Sequence, residues 1–461
     1  MNKKAISATA RRLAVMVGAG LGALSFASAA SAQSLEEALA QAYLGNPTIE
    51  AQRAQLRATD ELVPQALSGY RPSAEANASI GWQDQNARAA TGTVDRTTRP
   101  ASVGIAVTQP LYRGGRTVAA TNRAENLVQA QRAALLSTEQ SILLDAATAY
   151  LDVVRDQAVV ELNISNVQVL ERQLEAFRDR FSVGEITRTD VSQADARLAR
   201  AVSDRIQAEG LLQASRAVFA RVVGTPPGEL DSPVLRFELP ASLEETITLA
   251  QSNNPSVVAA QFSERAALDA VDQVRGEMLP EVGLRGAVGR NWEPQTGIDR
   301  SDVASITAQV TIPLYQSGAV SSRVREAKHE AGRRRIEIEE SRRQSIENAI
   351  RAWEALTTGQ AGIRSRQTQV EAADIALEGV RQEAAVGART ALDILDAEQE
   401  LLDARVSLVR AQRDEIVATF QILAAIGQLT ARQLGLPVEY YDHEDYYRAV
   451  RDKWYGTDLP E

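Results

Sequence analysis

Two stretches of this sequence, "VGEITRTD" and "VGARTALDILD", place a glycine turn shortly before aspartates in what otherwise reads as helix. In the second stretch Asp393 and Asp396 are spaced i and i+3, so both carboxylates lie on one face of a helix. Crowded carboxylates attract cations and resist full ionisation. The first stretch has Asp190 but Gln193 at the corresponding positions, so only the second stretch carries the complete pair.

The chemistry that these residues offer is electrostatic, and the rest of the sequence adds no catalytic set. His329 and His443 are the only histidines, and they are too few and too far apart to suggest a metal site or a Ser/His/Asp triad. The chain contains no cysteine, which excludes disulfides, thiolate metal ligands and a lipidated N-terminal cysteine. We therefore expect no catalytic residue, no metal site and no cofactor.

The N-terminus has the composition of a secretory signal. Basic residues at positions 3, 4, 11 and 12 precede an apolar run, and "ASA" at 30–32 forms a small-residue cleavage site. The sequence predicts a signal peptide at residues 1–32; the alternative, an uncleaved anchor, needs a longer apolar run. The formal net charge is −10 and no basic, aromatic-rich patch is present, so nucleic acid is not an expected partner.

The remaining sequence is duplicated. "SLEEALAQAYLGNP" recurs as "SLEETITLAQSNNP", "VTQPLYRGG" recurs as "VTIPLYQSG", and one glycine turn follows in each copy. A proline-rich segment that ends at Pro240 separates the copies. We expect a first structural repeat at 33–240, a second at 241–430 and a C-terminal tail at 431–461.

Each repeat contains a long segment without proline, the residue that breaks helix interiors. These segments lie between Pro110 and Pro226 and between Pro313 and Pro437. Because each segment has a glycine turn in its interior, the sequence predicts two long helical hairpins, over 116–222 and 318–427. Residues 116–182 alone would form a helix of about 100 Å, so these rods must pack side by side.

An apolar residue recurs every seven positions along the rods. The members are Val153, Val160, Val167, Leu174 and Phe181 in one rod and Leu395, Leu402, Val409, Ile416 and Leu423 in another. A spacing of seven drifts around a straight helix and favours left-handed supercoiling. An amphipathic helix in an ordinary bundle is the alternative.

Before each "PLY" motif the apolar period changes to two, the period of a half-buried strand. The alternation predicts four strands, in hairpins over about 72–112 and 280–315. The polar segments inside the hairpins, residues 83–99 and 293–302, are expected to be loops. Strands of about ten residues with one apolar face suit an outer membrane barrel. A soluble hairpin packed on its own helices is the alternative.

A lipid-exposed sheet cannot leave an edge unpaired, and four strands are too few to close a barrel. We therefore expect several protomers to share one barrel. Two, three or four copies would give roughly eight, twelve or sixteen strands, and the strand pattern does not choose among them.

Duplicated halves with "PLYxxG" strand ends and paired "VGxxxxxD" turns resemble the outer membrane efflux protein family, the TolC-like channel-tunnels of Gram-negative bacteria. The resemblance implies an α+β membrane protein: a homotrimer whose chains each give four strands to a shared outer membrane barrel, continued by a long α-helical coiled-coil barrel in the periplasm. It also implies a passive export duct for type I protein secretion or small-molecule efflux. The implied partners are outer membrane lipid, a periplasmic adaptor of the membrane fusion type and an inner-membrane ABC or proton-driven pump.

The resemblance further assigns site residues. The family's periplasmic constriction falls on Asp393 and Asp396, which in a trimer would form a ring of six carboxylates. Its closed-state latch falls on Arg389, Asp190 and Thr189. The aromatic member of that latch is absent, because this sequence has alanine at 384, and that departure affects part of the latch.

Val183, Gly184, Val386 and Gly387 match the two tip turns that receive the adaptor hairpin in the family. Glycine suits such a turn because it permits a tight reversal and a close approach of another backbone. For the charged residues, a solvated helix start and an exposed ion pair are the alternatives.

Two other classes of exported protein have long helical hairpins. A periplasmic coiled-coil adaptor would lack the alternating hairpins, and a structural coiled-coil envelope protein would not need the paired turns. The tail contains "EYYDHEDYYRAVRDKWYG", which holds five of the ten tyrosines of the chain. We expect the tail to pack on the outside of the helices, with a partner surface as the alternative.

Overall fold

A computed structural model describes residues 33–89, 92–231, 238–295 and 297–459, so the predicted signal peptide at 1–32 lies outside the described residues. The helices are α1 (Leu35–Gly45), α2 (Pro47–Asp60), α3 (Leu62–Leu67), α4 (Arg116–Ser182), α5 (Arg188–Val223), α6 (Leu243–Asn253), α7 (Pro255–Arg275), α8 (Ala319–Ala385), α9 (Ala391–Ala425) and α10 (Asp445–Val450), with short 3-10 helices at Ser68–Tyr70 and Gly276–Met278. The strands are β1 (Ser73–Ile80), β2 (Gln83–Ala89), β3 (Gly92–Thr98), β4 (Ala101–Arg113), β5 (Glu281–Gln295) and β6 (Ile298–Thr311).

The α+β class is confirmed, and two very long helices dominate the molecule. α4 and α8 each contain 67 residues, which corresponds to about 100 Å of helix. Each reverses into a shorter partner, α5 or α9. Along the predicted seven-residue seam every member is buried or half-buried except Phe181, which is 45% exposed.

The largest core lies where the rods meet the short N-terminal helices. Tyr150 of α4, Phe219 of α5 and Phe420 of α9 are fully buried there beside residues of α1 and α2. α4 also packs against α7, and α8 packs against α6, α7 and α9. The helices of both repeats therefore form one packed layer of antiparallel rods.

The asparagine of each "NP" motif ties a short helix to the end of a long hairpin. The Asn46 side chain accepts a hydrogen bond from Thr48 N at the start of α2 (2.9 Å), and its amide donates to the carbonyl oxygen of Val222 near the end of α5 (2.9 Å). Asn254 does the same at α7 and donates to the carbonyl oxygen of Ala425 (3.1 Å). The duplicated motif thus joins a short helix to the last turn of the returning helix in each hairpin.

The four strands predicted from alternation are present and form one antiparallel sheet in the order β1-β4-β5-β6. The β4–β5 pairing joins the two repeats. Ala76, Ile105, Val288 and Ala304 face one another across the sheet, so the predicted apolar positions share one face. Nothing in the described chain covers that face: Ile105 is 54% and Val288 57% exposed.

The expectation that residues 83–99 and 293–302 are loops is wrong. β2 pairs with β3 in a separate two-stranded sheet, and β5 and β6 continue to Gln295 and Ile298. Backbone pairing does not require an apolar face, and polar cross-strand pairs supply further contacts, as in the hydrogen bond from Thr97 Oγ1 to Asp84 Oδ1 (3.0 Å). Apolar alternation therefore cannot detect these strands.

The tail packs on the helices, as expected. Tyr447 lies against the apolar cluster of α2, α3 and α4, and the Arg132 guanidinium lies 5.3 Å from the centre of its ring. The backbone nitrogen of Tyr441 donates to the Tyr43 hydroxyl (3.0 Å). Among the helices in the described part of the chain, none has an apolar stretch long enough to cross a bilayer.

The "PLY" motifs end in a left-handed backbone that turns each strand into a long helix. Gly114 and Gly115 have φ values of 60° and 76°, and the second copy uses Ser317 (53°) and Gly318 (78°). A Cβ on Gly114 would lie 2.3 Å from the carbonyl oxygen of Gly276, whereas a Cβ on Gly115 would meet nothing within 4 Å. Crowding, rather than φ alone, excludes a side chain at Gly114.

We expect Gly114→Ser, which copies the residue of the second repeat, to destabilise the protein more than Gly115→Ala. Gly115→Ala incurs only the left-handed backbone cost of about 1–2 kcal/mol. Gly114→Ser adds overpacking worth about 1–3 kcal/mol. Thermal unfolding of the detergent-solubilised variants by circular dichroism measures both, and equal losses would contradict the crowding argument.

Candidate functional site

Both glycine turns end their long helix with the same hydrogen-bonded cap. At the first turn Gly184 has φ 82°, its nitrogen donates to the carbonyl oxygen of Phe181 (3.0 Å), and the nitrogen of Glu185 donates to that of Arg180 (2.9 Å). This is the Schellman arrangement, which needs a left-handed residue at its centre. The φ value therefore explains the glycine.

The second turn repeats this geometry. Gly387 has φ 81°, its nitrogen donates to the carbonyl oxygen of Ala384 (3.2 Å), and Ala388 N donates to that of Glu383 (2.9 Å). The residue before each glycine is an unusually exposed valine: Val183 is 71% and Val386 81% exposed. Each turn thus presents an apolar side chain to its surroundings.

The returning helices start with matching capping boxes. Thr390 is the N-cap of α9. The backbone nitrogen and the hydroxyl of Thr390 each donate a hydrogen bond to Asp393 Oδ2, both 2.8 Å. Thr187 and Asp190 cap α5 in the same way, at 2.9 and 2.8 Å. The aspartate shared by the two copies therefore has a local structural function.

These hydrogen bonds affect the charge state of Asp393. Donation from Thr390, chiefly by its backbone nitrogen, lowers the pKa of the Asp393 carboxyl below its ordinary value of 3.8. The hydrogen bond to Glu383 raises the pKa of the Arg389 guanidinium. Both groups are therefore fully charged at neutral pH.

An ion pair spans each turn, and its polarity is reversed between the repeats. At the first turn Arg180 Nε lies 3.2 Å from Glu185 Oε2. At the second, Glu383 occupies the position of Arg180, and its Oε2 accepts from Arg389 Nε at 2.8 Å. These pairs are exposed, so each contributes little stability. They do give the two turns opposite charge patterns.

Asp396 connects the two repeats. Its Oδ1 lies 2.5 Å from Arg197 Nη2, so the start of α9 is joined to α5. Next to Asp396 in the chain, Leu395 of α9 packs into an apolar cluster formed by α4 and α5, with Leu174 and Phe177. The three helices are thereby held together close to the turns.

The predicted site residues are brought to one end of the rods, but within a chain they are not all in contact. Arg389 pairs with Glu383 and not with Asp190, and Thr189 is exposed with no hydrogen bond from its side chain in the described chain. Asp190 Oδ1 accepts no hydrogen bond there, because both contacts use Oδ2. Ala384, at the family's aromatic position, is buried.

Three features escaped sequence reasoning: the capping boxes, the ion pairs across the turns and Arg197. The pattern Thr-x-x-Asp, present as "TRTD" and "TALD", was a sufficient signal for the boxes. Arg197 gave none, since its partner is 199 positions away. In the described residues no three His, Asp or Glu side chains gather as a metal site would require.

The sequence matches those of known outer membrane proteins over most of its length. A family profile described as "Outer membrane efflux protein" matches residues 38–225 and 246–428. The outer membrane efflux protein BepC of Brucella suis is 35% identical over 94% of this chain and 94% of its own. The outer membrane protein TolC of Vibrio cholerae is 29% identical over 92% of this chain and 96% of its own.

The fold matches that of solved channels. The crystal structure of the Campylobacter jejuni CmeC outer membrane channel superposes with a TM-score of 0.78, covering 91% of this chain and 89% of that one, at 14% identity. At this identity the match concerns the fold alone.

The capping boxes predict a pH-dependent stability at the turns. Because the folded pKa of Asp393 is depressed, its carboxylate stabilises the start of α9 above the ordinary pKa of 3.8, and this contribution is lost as pH falls through the lower folded value. We expect Thr390→Ala and Asp393→Asn to accelerate amide exchange at residues 391–394 several-fold at pH 7. The difference between Asp393→Asn and wild type should shrink towards pH 3.

Hydrogen exchange with mass spectrometry measures this effect. Thr189→Ala is the matched control, because Thr189 lies beside the first box without capping it. Unchanged exchange in Thr390→Ala would contradict the assigned cap.

Proposed function

We propose that this chain, which belongs to the outer membrane efflux protein family, forms a homotrimer whose three sheets close into one twelve-strand barrel, continued by an α-helical barrel. The protein is an outer membrane export duct of a Gram-negative bacterium, with a large periplasmic portion. Family membership removes the adaptor and structural envelope alternatives.

The edges of the sheet support the shared barrel of the trimer. β1 and β6 are its edges, and each has only one strand neighbour among the described residues. In a bilayer such edges must pair, because no water is available to hydrogen-bond them. Pairing β1 of one chain with β6 of the next satisfies both edges and exposes the apolar face to lipid.

The domain organisation proposed for the chain follows its duplication. A first repeat at 33–240 and a second at 241–430 each consist of short helices, a strand hairpin and a long helical hairpin, and the tail spans 431–461. The pairs Asn46–Val222 and Asn254–Ala425 support this division, because each ties the start of a repeat to the end of its own hairpin.

The turns form the periplasmic end of the duct in this proposal. Asp393 and Asp396 would line the constriction, and the pairing of Asp396 with Arg197 tempers the negative charge of each chain. Val183, Gly184, Val386 and Gly387 would contact the adaptor. The exposure of both valines supports that contact, since an apolar side chain at a tip gains from being covered.

A latch between neighbouring chains is compatible with the contacts within one chain. Asp190 Oδ1 has no donor among the described residues, and Thr189 is exposed beside it. Arg389 of the next chain would reach both by exchanging its exposed partner Glu383. Because that partner is solvent-exposed, the exchange has a small cost.

We place the energy source outside the duct, in an inner-membrane ABC or proton-driven pump coupled through a periplasmic adaptor. The cargo is protein substrates of type I secretion, small molecules, or both. BepC is an efflux protein, and the similarity of this chain to BepC supports small molecules as cargo.

Planar bilayer recording of the purified protein, with its native mass, tests the duct. Discrete cation-selective steps from a species of three chains are expected. A monomer without channel activity would contradict the proposal.

The latch predicts that Arg389→Ala and Asp190→Asn raise single-channel conductance, because either removes the charge pair that holds neighbouring turns together. Glu383→Ala is the matched control: it frees Arg389 from its partner within the chain and should not raise conductance. Unchanged conductance in both latch variants would contradict the latch.

The constriction predicts that Asp393→Asn with Asp396→Asn weakens block by a trivalent cation. Arg197→Ala should strengthen the block, because it leaves Asp396 without its cation. Asp403→Asn, two helical turns along α9, controls for charge outside the constriction. Equal block of wild type and the double variant would rule the acidic ring out.

A further inference from the structure

The C-terminal tail follows α4 towards the sheet. In the middle of the tail, Glu444 Oε1 lies 3.2 Å from Arg132 Nη1, and further on Arg451 Nη2 lies 3.7 Å from Glu125 Oε1. α4 begins at the sheet and extends away from it. This order of contacts therefore shows that the tail runs towards the sheet. The last described part of the tail therefore lies near the junction between the helices and the strands.

Arg71 fixes the end of the tail at that junction. Its Nη1 donates to the carbonyl oxygen of Lys453 (2.7 Å), and its guanidinium lies 5.0 Å from the centre of the Trp454 ring. Arg71 lies two residues before the first residue of β1. Stacking on a guanidinium holds an indole ring in place without burying it.

The strand pairing shows where the contact between Arg71 and Trp454 lies relative to the sheet. The carbonyl oxygen of Tyr70 accepts a hydrogen bond from Gln109 Nε2 (2.8 Å), and Gln109 pairs with Leu284. Leu284 belongs to the apolar face, which continues along β5 to Val288 and, beyond Arg290, includes Trp292. Trp454 therefore lies level with the end of the apolar face that adjoins the helices.

The segment Lys453–Leu459 holds three uncovered apolar side chains among polar residues such as Lys453 and Asp458. Trp454 is 66%, Tyr455 90% and Leu459 79% exposed. Three large apolar side chains in one short segment indicate a surface that something covers. Tryptophan and tyrosine suit the boundary between headgroups and acyl chains, because each combines an apolar ring with a polar hydrogen-bonding group.

We infer that the segment Lys453–Leu459 is a membrane-interface anchor: Trp454 and Tyr455 insert among the lipid headgroups of the periplasmic leaflet of the outer membrane. The occupant is lipid rather than another protein, because the segment is level with the inner edge of the lipid-facing sheet. The tail thus couples the rods to the bilayer at a second place besides the strands.

Tryptophan quenching tests the anchor directly. The chain has four tryptophans, at 82, 292, 353 and 454, so Trp→Phe substitutions at three positions leave a single reporter. The Trp454-only variant is compared with a Trp353-only variant, whose reporter lies about 50 Å along α8 from the sheet. A Trp292-only variant reports the lipid-facing strand.

Each variant is reconstituted into phosphatidylcholine vesicles with bromine at carbons 6 and 7 of one acyl chain, or without bromine. We expect bromine to reduce Trp454 emission about twofold, as for Trp292, and to leave Trp353 unchanged. Arg71→Ala in the Trp454-only background should lose most of that quenching. Circular dichroism verifies that each variant is folded.

Equal bromine quenching of Trp454 and Trp353 would overturn the anchor. Shielding of Trp454 from aqueous acrylamide in those same vesicles would then identify a protein surface as its cover. Full quenching retained in Arg71→Ala would overturn the positioning assigned to Arg71.

Discussion

The unpaired edges of β1 and β6 constrain everything else in this molecule. Each described edge strand has one neighbour, and the sheet exposes its apolar face along most of its length. A bilayer admits such a sheet only when every edge is paired. Closure by copies of the same chain meets this requirement, and it forces the attached rods into a ring. The rods then continue the barrel as a tube because they leave the sheet at the "PLY" turns, and at the first of these turns Gly114 packs closely against Gly276.

At the other end of the rods, local hydrogen bonds determine the shape of the two glycine turns. A Schellman cap stops each long helix, and a Thr-x-x-Asp box restarts its partner. The residues nearest to the proposed aperture therefore combine two functions. Asp190 and Asp393 hold the helix starts through one carboxylate oxygen. Ion pairs within one turn, such as Arg389 with Glu383, are exposed, so their rearrangement has a small free-energy cost. A rigid turn with exchangeable surface pairs is suited to opening and closing.

Much of this architecture was predictable from the sequence. Duplication, proline-free segments and apolar alternation indicated the rods and the four strands of the main sheet. The β2–β3 hairpin was missed because its pairing rests on backbone and polar contacts such as Thr97–Asp84, which leave no apolar period. The pairing of Asp396 with Arg197 was missed for another reason: it depends on α5 and α9 being adjacent, which local patterns do not specify. The proposed latch would form between neighbouring chains, whereas within one chain Arg389 pairs with Glu383.

Cross-linking of the sheet edges tests the central claim most directly. The chain has no cysteine, so a cysteine at Ala76 in β1, combined in turn with one at each position from Val303 to Val310 in β6, gives an unambiguous background. Sharing of one barrel by three chains predicts that one or two neighbouring positions yield disulfide-linked trimers in native outer membranes, while single-cysteine variants do not. Absence of intermolecular products at every position, or cross-links confined within one chain, would contradict the shared barrel.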